Sequence, residues 1–145
     1  MIIDDEHFRT LERLYHGAPI NAIYQPVLHI ESGAAELTMP VRPEMFHAGH
    51  ALHGSVYFKA LDDAAFFAVN SLVTDVFVLT ASFNIYFTRP VTGGTLRALG
   101  RVVNRSRHLF LADAELFDGE GRQVARGSGS FMRSSIQLGP DVGYA

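Results

Sequence analysis

Residues 54–72 read Gly54-Ser55-Val56-Tyr57-Phe58-Lys59-Ala60-Leu61-Asp62-Asp63-Ala64-Ala65-Phe66-Phe67-Ala68-Val69-Asn70-Ser71-Leu72. A helix wound from them is apolar on nearly every side, and a helix of that kind is buried all round. Nineteen residues make a rod about 28 Å long. Ala60, Ala64, Ala65 and Ala68 are small, so another backbone can lie close against it. One long buried helix needs something to wrap it.

The flanking sequence can do the wrapping. Downstream, Phe77, Leu79, Ala81, Phe83, Ile85 and Phe87 alternate with Thr80, Ser82, Asn84, Tyr86 and Thr88, which predicts a strand over Val76–Thr88. Three more strands are expected near Thr95–Asn104, His108–Phe117 and Gln123–Arg133, with Asn104–Arg107 and Asp118–Gly121 as turns. Upstream, Val27–Glu31 and Ala35–Val41 read as two shorter strands around Ser32-Gly33. From Asp4 to about His16, Phe8, Leu11, Leu14 and Tyr15 recur at helical spacing, and Gly17 and Pro19 stop that helix. The expected architecture is α+β: an antiparallel sheet of five to six strands curled around one buried helix, with an N-terminal helix outside it. All 145 residues form one domain in this reading, with the core over about 22–134, the first helix within 1–20 and a loose tail over 135–145.

Composition narrows the function. Twelve basic against fifteen acidic residues give a net charge of −3, without the basic excess of a nucleic-acid binder. The chain has no cysteine, which removes disulfides, thiolate metal sites and cysteine nucleophiles. No apolar run is long enough to span a membrane, and Met1–Glu6 lacks the basic start and apolar core of a signal peptide, so a soluble cytoplasmic domain is expected.

Three features of the central stretch could carry chemistry. The first is the helix start at His53-Gly54-Ser55. Unpaired backbone N–H groups at such a terminus can stabilise a carbonyl oxygen that becomes negative, although an ordinary helix start explains the same residues. The second is the pair Asp62-Asp63. Neighbours three and four residues away place Asp62 beside Phe58, Ala65 and Phe66, whereas Asp63 falls on a Lys59–Asp63–Asn70 stripe that reads as solvated or ion-paired. A carboxylate among apolar neighbours is costly unless something pairs with it or uses it. Asp62 is therefore the functional candidate, with a hydrogen bond to a neighbouring strand as the plainer alternative. The third is the run His47, His50, His53. It invites a metal, but without a nearby carboxylate beyond Glu44, and with two of the three ahead of the helix, no metal is expected.

His53-Gly54-Ser55-(six residues)-Asp62-Asp63-Ala64 resembles the His-Gly-Gly-(six residues)-Asp-x-Ala signature of hot-dog-fold thioesterases, in the branch that includes phenylacetyl-CoA and acyl-CoA thioesterases. Phe83 to Pro90 and Gly119 to Gly127 resemble that family's third strand and last hairpin. The resemblance covers about Val27 to Arg133. It implies hydrolysis of an acyl-CoA or related acyl thioester, with Asp62 as base or nucleophile, Gly54 as the N–H donor to the thioester oxygen and His53 as its helper. It also implies Thr80 as the hydroxyl that orients the water or carboxylate, and a site shared across a homodimer within a dimer of dimers. No cofactor is implied beyond the coenzyme A of the substrate, and no nucleic-acid or membrane partner. Ser55 replaces the second glycine, and His47 stands where relatives commonly carry Asn, so a ring that can titrate near neutrality replaces an amide. Phe58, Phe66 and Phe83 would line the acyl tunnel beside Ser55, and Arg89, Arg107 and Arg133 would hold the CoA phosphates. A non-catalytic acyl-thioester-binding module on the same fold is the alternative. A hydratase or dehydratase would need a different His and carboxylate arrangement.

Overall fold

A computed structural model describes residues 4–145; Met1, Ile2 and Ile3 of the leader reading lie outside the described residues. Helix α1 spans Asp5–His16, with the Asp4 carboxylate accepting from the His7 N–H at its start. Asp5 and Glu6 in the first turn and Arg13 in the last complement its dipole. A second helix, α2, covers Pro19–Tyr24. Pro19, expected only to end α1, instead occupies a first-turn position, where its fixed φ and missing N–H cost nothing.

Strands β1 (Val27–Glu31), β2 (Ala34–Pro40), β3 (Val76–Phe87), β4 (Thr95–Arg105), β5 (Leu109–Phe117) and β6 (Gln123–Gln137) form one antiparallel sheet in the order β1-β2-β4-β5-β6-β3. Helix α3, Gly54–Asn70, lies in its concave face. Leu61, Val69, Leu37, Leu96, Leu116 and Phe131 are fully buried between them; each such side chain contributes about 1.5–3 kcal/mol. The small residues of α3 have the expected consequence: a Cβ at Gly100 of β4 would stand 2.4 Å from the Ala64 carbonyl, so helix and strand meet backbone to backbone. Among the described residues no helix is long and apolar enough to cross a membrane.

The two edges of the sheet differ. At β1 the outward backbone groups are taken by α1: the Ile30 N–H by Glu12 (2.7 Å), the Ile30 carbonyl by Arg9 (2.5 Å) and the Leu28 N–H by His16 (3.0 Å). β3, twelve residues long, forms the opposite edge, and among the described residues only β6 pairs with it. Leu79, Tyr86 and Phe87 on this strand are exposed.

Two expectations about the periphery are corrected. β6 continues four residues past Arg133, and the tail beyond it is docked: Leu138, Val142 and Tyr144 pack on the core, and the Tyr144 hydroxyl lies 2.8 Å from His7 Nδ1. Asn70 is no part of a solvated stripe. It is fully buried, donates to the Val73 and Val76 carbonyls (3.1 Å each) and accepts from the Val78 N–H (3.0 Å). Its amide thereby fixes how α3 turns into β3.

Candidate active site

His53 is the N-cap of α3. Its Nδ1 accepts from the Ser55 N–H (3.0 Å) and stands 2.8 Å from Ser55 Oγ, so in the neutral ring the proton sits on Nε2, turned away from the helix. Ser55 thus holds His53 in place. The loop ahead is anchored by Leu52 N–H to Val91 carbonyl (2.8 Å) and His53 N–H to Met45 carbonyl (2.9 Å). None of the described residues accepts from the Gly54 N–H. Gly54 lines a cavity of about 390 Å³ together with His47, Leu52, Tyr57, Phe87 and Arg89. His47 Nδ1 accepts from the Gly49 N–H (2.9 Å), which again leaves Nε2 as the outward donor. Tyr57, which the sequence reading passed over, lies one turn after Gly54 and ties the helix to β3's exit by donating to the Arg89 carbonyl (2.8 Å). Its position at i+3 from Gly54 is the signal that was available.

Asp62 lies eight residues along α3, with its carboxylate accepting a 2.8 Å hydrogen bond from Thr80 Oγ1. Strict alternation along β3 turns Phe83 inward and Thr80 outward, yet both face the helix. The pairing explains this: Thr80 opposes Phe131 and Ser82 opposes Ser130, so Ala81 is an extra residue, a β-bulge that resets the alternation. Five phenylalanine rings of α3, β3 and β6 form an unbroken series of contacts on this side of the helix. Phe58 meets Phe83 (5.7 Å between centroids), Phe83 meets Phe131 (6.5 Å), Phe131 meets Phe66 (6.1 Å), and Phe66 meets Phe77 (4.9 Å). Burial in these surroundings pushes the Asp62 carboxyl up to about 6, while the Thr80 hydrogen bond acts in the opposite direction. The neighbouring Asp63 adds to the rise, and Lys59 opposes it.

Asp63 faces the other way. Its Oδ2 accepts from Lys59 Nζ (2.6 Å) and from the Tyr15 hydroxyl of α1 (2.6 Å). Both charged side chains are largely covered, so the ion pair expected here is present, but under α1 rather than in solvent. Burial and Asp63 together push the Tyr15 phenol upward, which keeps it a donor.

The remaining candidates are dispersed within one chain. Arg89 sits by Gly54 at the end of β3, where Phe87 pairs with Ala125. Arg133 lies toward the opposite end, opposite Val78, and is ion-paired with Asp75 (2.5 Å). Arg107 is exposed in the β4–β5 turn, near where Leu109 opposes Met132. Gly54 and Asp62 are themselves about 12 Å apart along the helix axis. Among the described residues no group of three or more His, Asp or Glu side chains is placed to hold a metal ion.

Comparison with known proteins bears on this arrangement. The family description "Thioesterase superfamily" matches residues 49–125, a span that contains His53, Gly54, Asp62 and Thr80. A protein of Sulfurisphaera tokodaii named "Putative esterase" is 32% identical over 101 residues, covering 69% of this chain and 74% of its own. Among solved structures, the Escherichia coli PaaI protein from the phenylacetic acid degradation operon superposes with a TM-score of 0.84 at 22% identity, covering 94% of this chain and 99% of that one. A variant of the phenylacetic acid degradation protein PaaI from Thermus thermophilus gives 0.74 at 24% identity, covering 81% and 100%. At these identities the structural likenesses establish the fold, a hot-dog sheet around its central helix.

Proposed function

The chain belongs to the thioesterase superfamily, and from that premise we propose that it hydrolyses an acyl-CoA or related acyl thioester to the free acid and a thiol. The observation that carries this reading is Asp62: a partly buried carboxylate between Phe58 and Phe66 on its helix, held by Thr80, with its pKa pushed up to about 6. A carboxylate kept amid apolar groups at a desolvation cost has a use, and one with that pKa is ionised at neutral pH yet more basic than an ordinary aspartate.

In the proposed reaction Asp62 takes a proton from water as the water oxygen bonds to the thioester carbon. The carbonyl oxygen becomes negative and is met by a Gly54 N–H at the positive end of α3, with the outward Nε2–H of His53 beside it. Collapse breaks the C–S bond, and the proton held by Asp62 passes to the departing thiolate. General-base action of this kind supplies roughly 10²–10⁴ in rate, and one oxyanion donor about 10²–10³.

One chain cannot bring these groups together, because Gly54 and Asp62 are about 12 Å apart on one rigid helix. The open edge of β3 supplies the remedy. A long, exposed, apolar edge strand pairs with another unless something covers it, and the natural arrangement is an isologous two-fold dimer. Two β3 strands paired antiparallel about a two-fold axis near the middle of the strand bring Thr80 and its Asp62 toward Phe87 of the partner subunit. Phe87 is the ring that lies against Gly54. The same pairing carries Arg89 toward the end of the partner's sheet that holds Arg107 and Arg133, a basic frame for the CoA phosphates. Leu79, Met132 and Leu109, exposed in one cross-strand row, offer a second apolar face for a dimer of dimers.

The test is thiol release from phenylacetyl-, benzoyl-, hexanoyl- and palmitoyl-CoA by the wild type beside Asp62→Asn. Turnover of any of them that vanishes in the variant supports the proposal. Stabilisation by acyl-CoA without any thiol released, in a folded dimer, would replace it with the binding-module reading.

A further inference from the structure

Phe83 of β3 stands between β6 and the first half of α3, on the side of the helix that carries Asp62. It lies three residues after Thr80, and the bulge at Ala81 between them lets both face the helix side of the sheet. Its ring meets Phe58, which lies one helical turn before Asp62, edge-on at 5.7 Å. From the sheet side it rests on two glycines of β6. A Cβ at Gly129, which opposes Phe83, would stand 2.5 Å from Phe83 Cδ2 and 2.9 Å from Phe131 Cε2. A Cβ at Gly127 would stand 2.6 Å from Phe83 Cε1 and 2.7 Å from the Asn84 carbonyl oxygen. Any side chain at either position would force the ring out of its seat. The strand therefore gives up two side chains where the ring lies.

We infer that Phe83, seated on Gly127 and Gly129, is the floor of the acyl pocket and sets its depth, so that the site takes short or compact acyl groups and turns away long straight chains. The inference rests on the thioester reading above. It also has a geometric consequence: removing the ring opens a channel between α3 and β6 whose walls, Phe58 and Phe131, are already apolar. Each additional methylene accommodated in an apolar pocket is worth about tenfold or more in specificity. A chain longer by several methylenes thus responds strongly to the loss of the floor.

Two variants and two readouts test it. Phe83→Ala removes the ring, and Phe83→Leu keeps an apolar side chain in the seat should the alanine variant fail to fold. The first readout is kcat/KM for butyryl- and decanoyl-CoA. The wild type is expected to favour butyryl, and the decanoyl-to-butyryl ratio to rise at least tenfold in Phe83→Ala and by a smaller factor in Phe83→Leu. The second readout is calorimetric binding of the non-hydrolysable butyl and decyl thioethers of CoA to the same proteins. Failure of hydrolysis with the expected change in the thioether binding ratio would sink the enzymatic reading and leave the pocket floor supported. A wild type that already prefers decanoyl, or a ratio unchanged in the folded variants by both readouts, would overturn the inference.

Discussion

Asp62 and Asp63 are adjacent residues on one helix, and they live in opposite worlds. Asp63 looks toward α1, where Lys59 neutralises it and Tyr15 donates to it, each at 2.6 Å. Asp62 looks toward β3, where one hydroxyl holds it, and Phe58 and Phe66 flank it one helical turn to either side. On the first face the covered carboxylate has been given both a counter-charge and a hydroxyl donor, as stability requires. On the second a carboxylate has been desolvated with a single neutral donor for company. A structural aspartate and a working one can thus be told apart by how completely the fold has compensated them.

The sharpest way to break this contrast is to neutralise each in turn. Asp62→Asn keeps the shape and an acceptor for Thr80 but removes the base, so thiol release should fall about 10²–10⁴-fold with the circular dichroism spectrum unchanged. Asp63→Asn should do the reverse. It strips Lys59 of its counter-charge in a mostly covered position and weakens the bond from Tyr15, at a cost of about 2–4 kcal/mol in urea unfolding. Turnover per folded molecule should stay within a few-fold of wild type. Equal loss of activity in both variants would erase the distinction between the faces.

Stability against pH sharpens the same contrast. Burial raises the folded-state pKa of Asp62 to about 6, above the ordinary carboxylate value, so the folded chain binds this proton more tightly than the unfolded chain does. The group's contribution is therefore greatest below about pH 4 and is lost as pH rises through 6. The full swing is about 2–3 kcal/mol. Asp62→Asn, which has no proton to lose, should be more stable than wild type at pH 8, by up to that amount. The gap should close toward pH 4, as followed by urea midpoints across the range. A gap independent of pH would mean that Asp62 is better solvated than its surroundings imply.

Much of this arrangement was readable from residue spacing, and the unreadable parts have a common cause. The different settings of Asp62 and Asp63 follow from neighbours three and four residues away, which a helix fixes without help from the rest of the fold. What covers Asp63 does not, since Tyr15 is 48 residues distant. Likewise Asn70 looks like any polar residue near a helix end, and only the turn into β3 shows its amide fully used. Pro19 is compatible with either stopping a helix or starting one, and the docking of Tyr144 on His7 joins the two ends of the chain. Strand alternation could show which residues of β3 are apolar. It could not show the bulge, because an extra residue is defined by the partner strand, and Ala81 by itself carries no mark of it.

That bulge is what makes Thr80 available to Asp62, and it leads to the smallest of the expected effects. Without it, a strand that turns Phe83 inward turns Thr80 out, and the carboxylate loses its only side-chain donor from β3. The hydroxyl acts on the ionised form, holding the pKa below where burial alone would set it. Thr80→Val keeps the branched shape and removes the donor. The Asp62 pKa should then rise, and the acidic limb of the pH–rate profile should move up by about one unit, the scale of one hydrogen bond to a charged acceptor. Turnover at pH 7 should drop about twofold and recover by pH 8.5, where the carboxylate is ionised again. Thr80→Ser, which retains the hydroxyl, should keep the wild-type limb. A rate loss in Thr80→Val that is the same at every pH would mean that the hydroxyl acts on the water or the substrate and leaves the carboxylate's proton affinity alone.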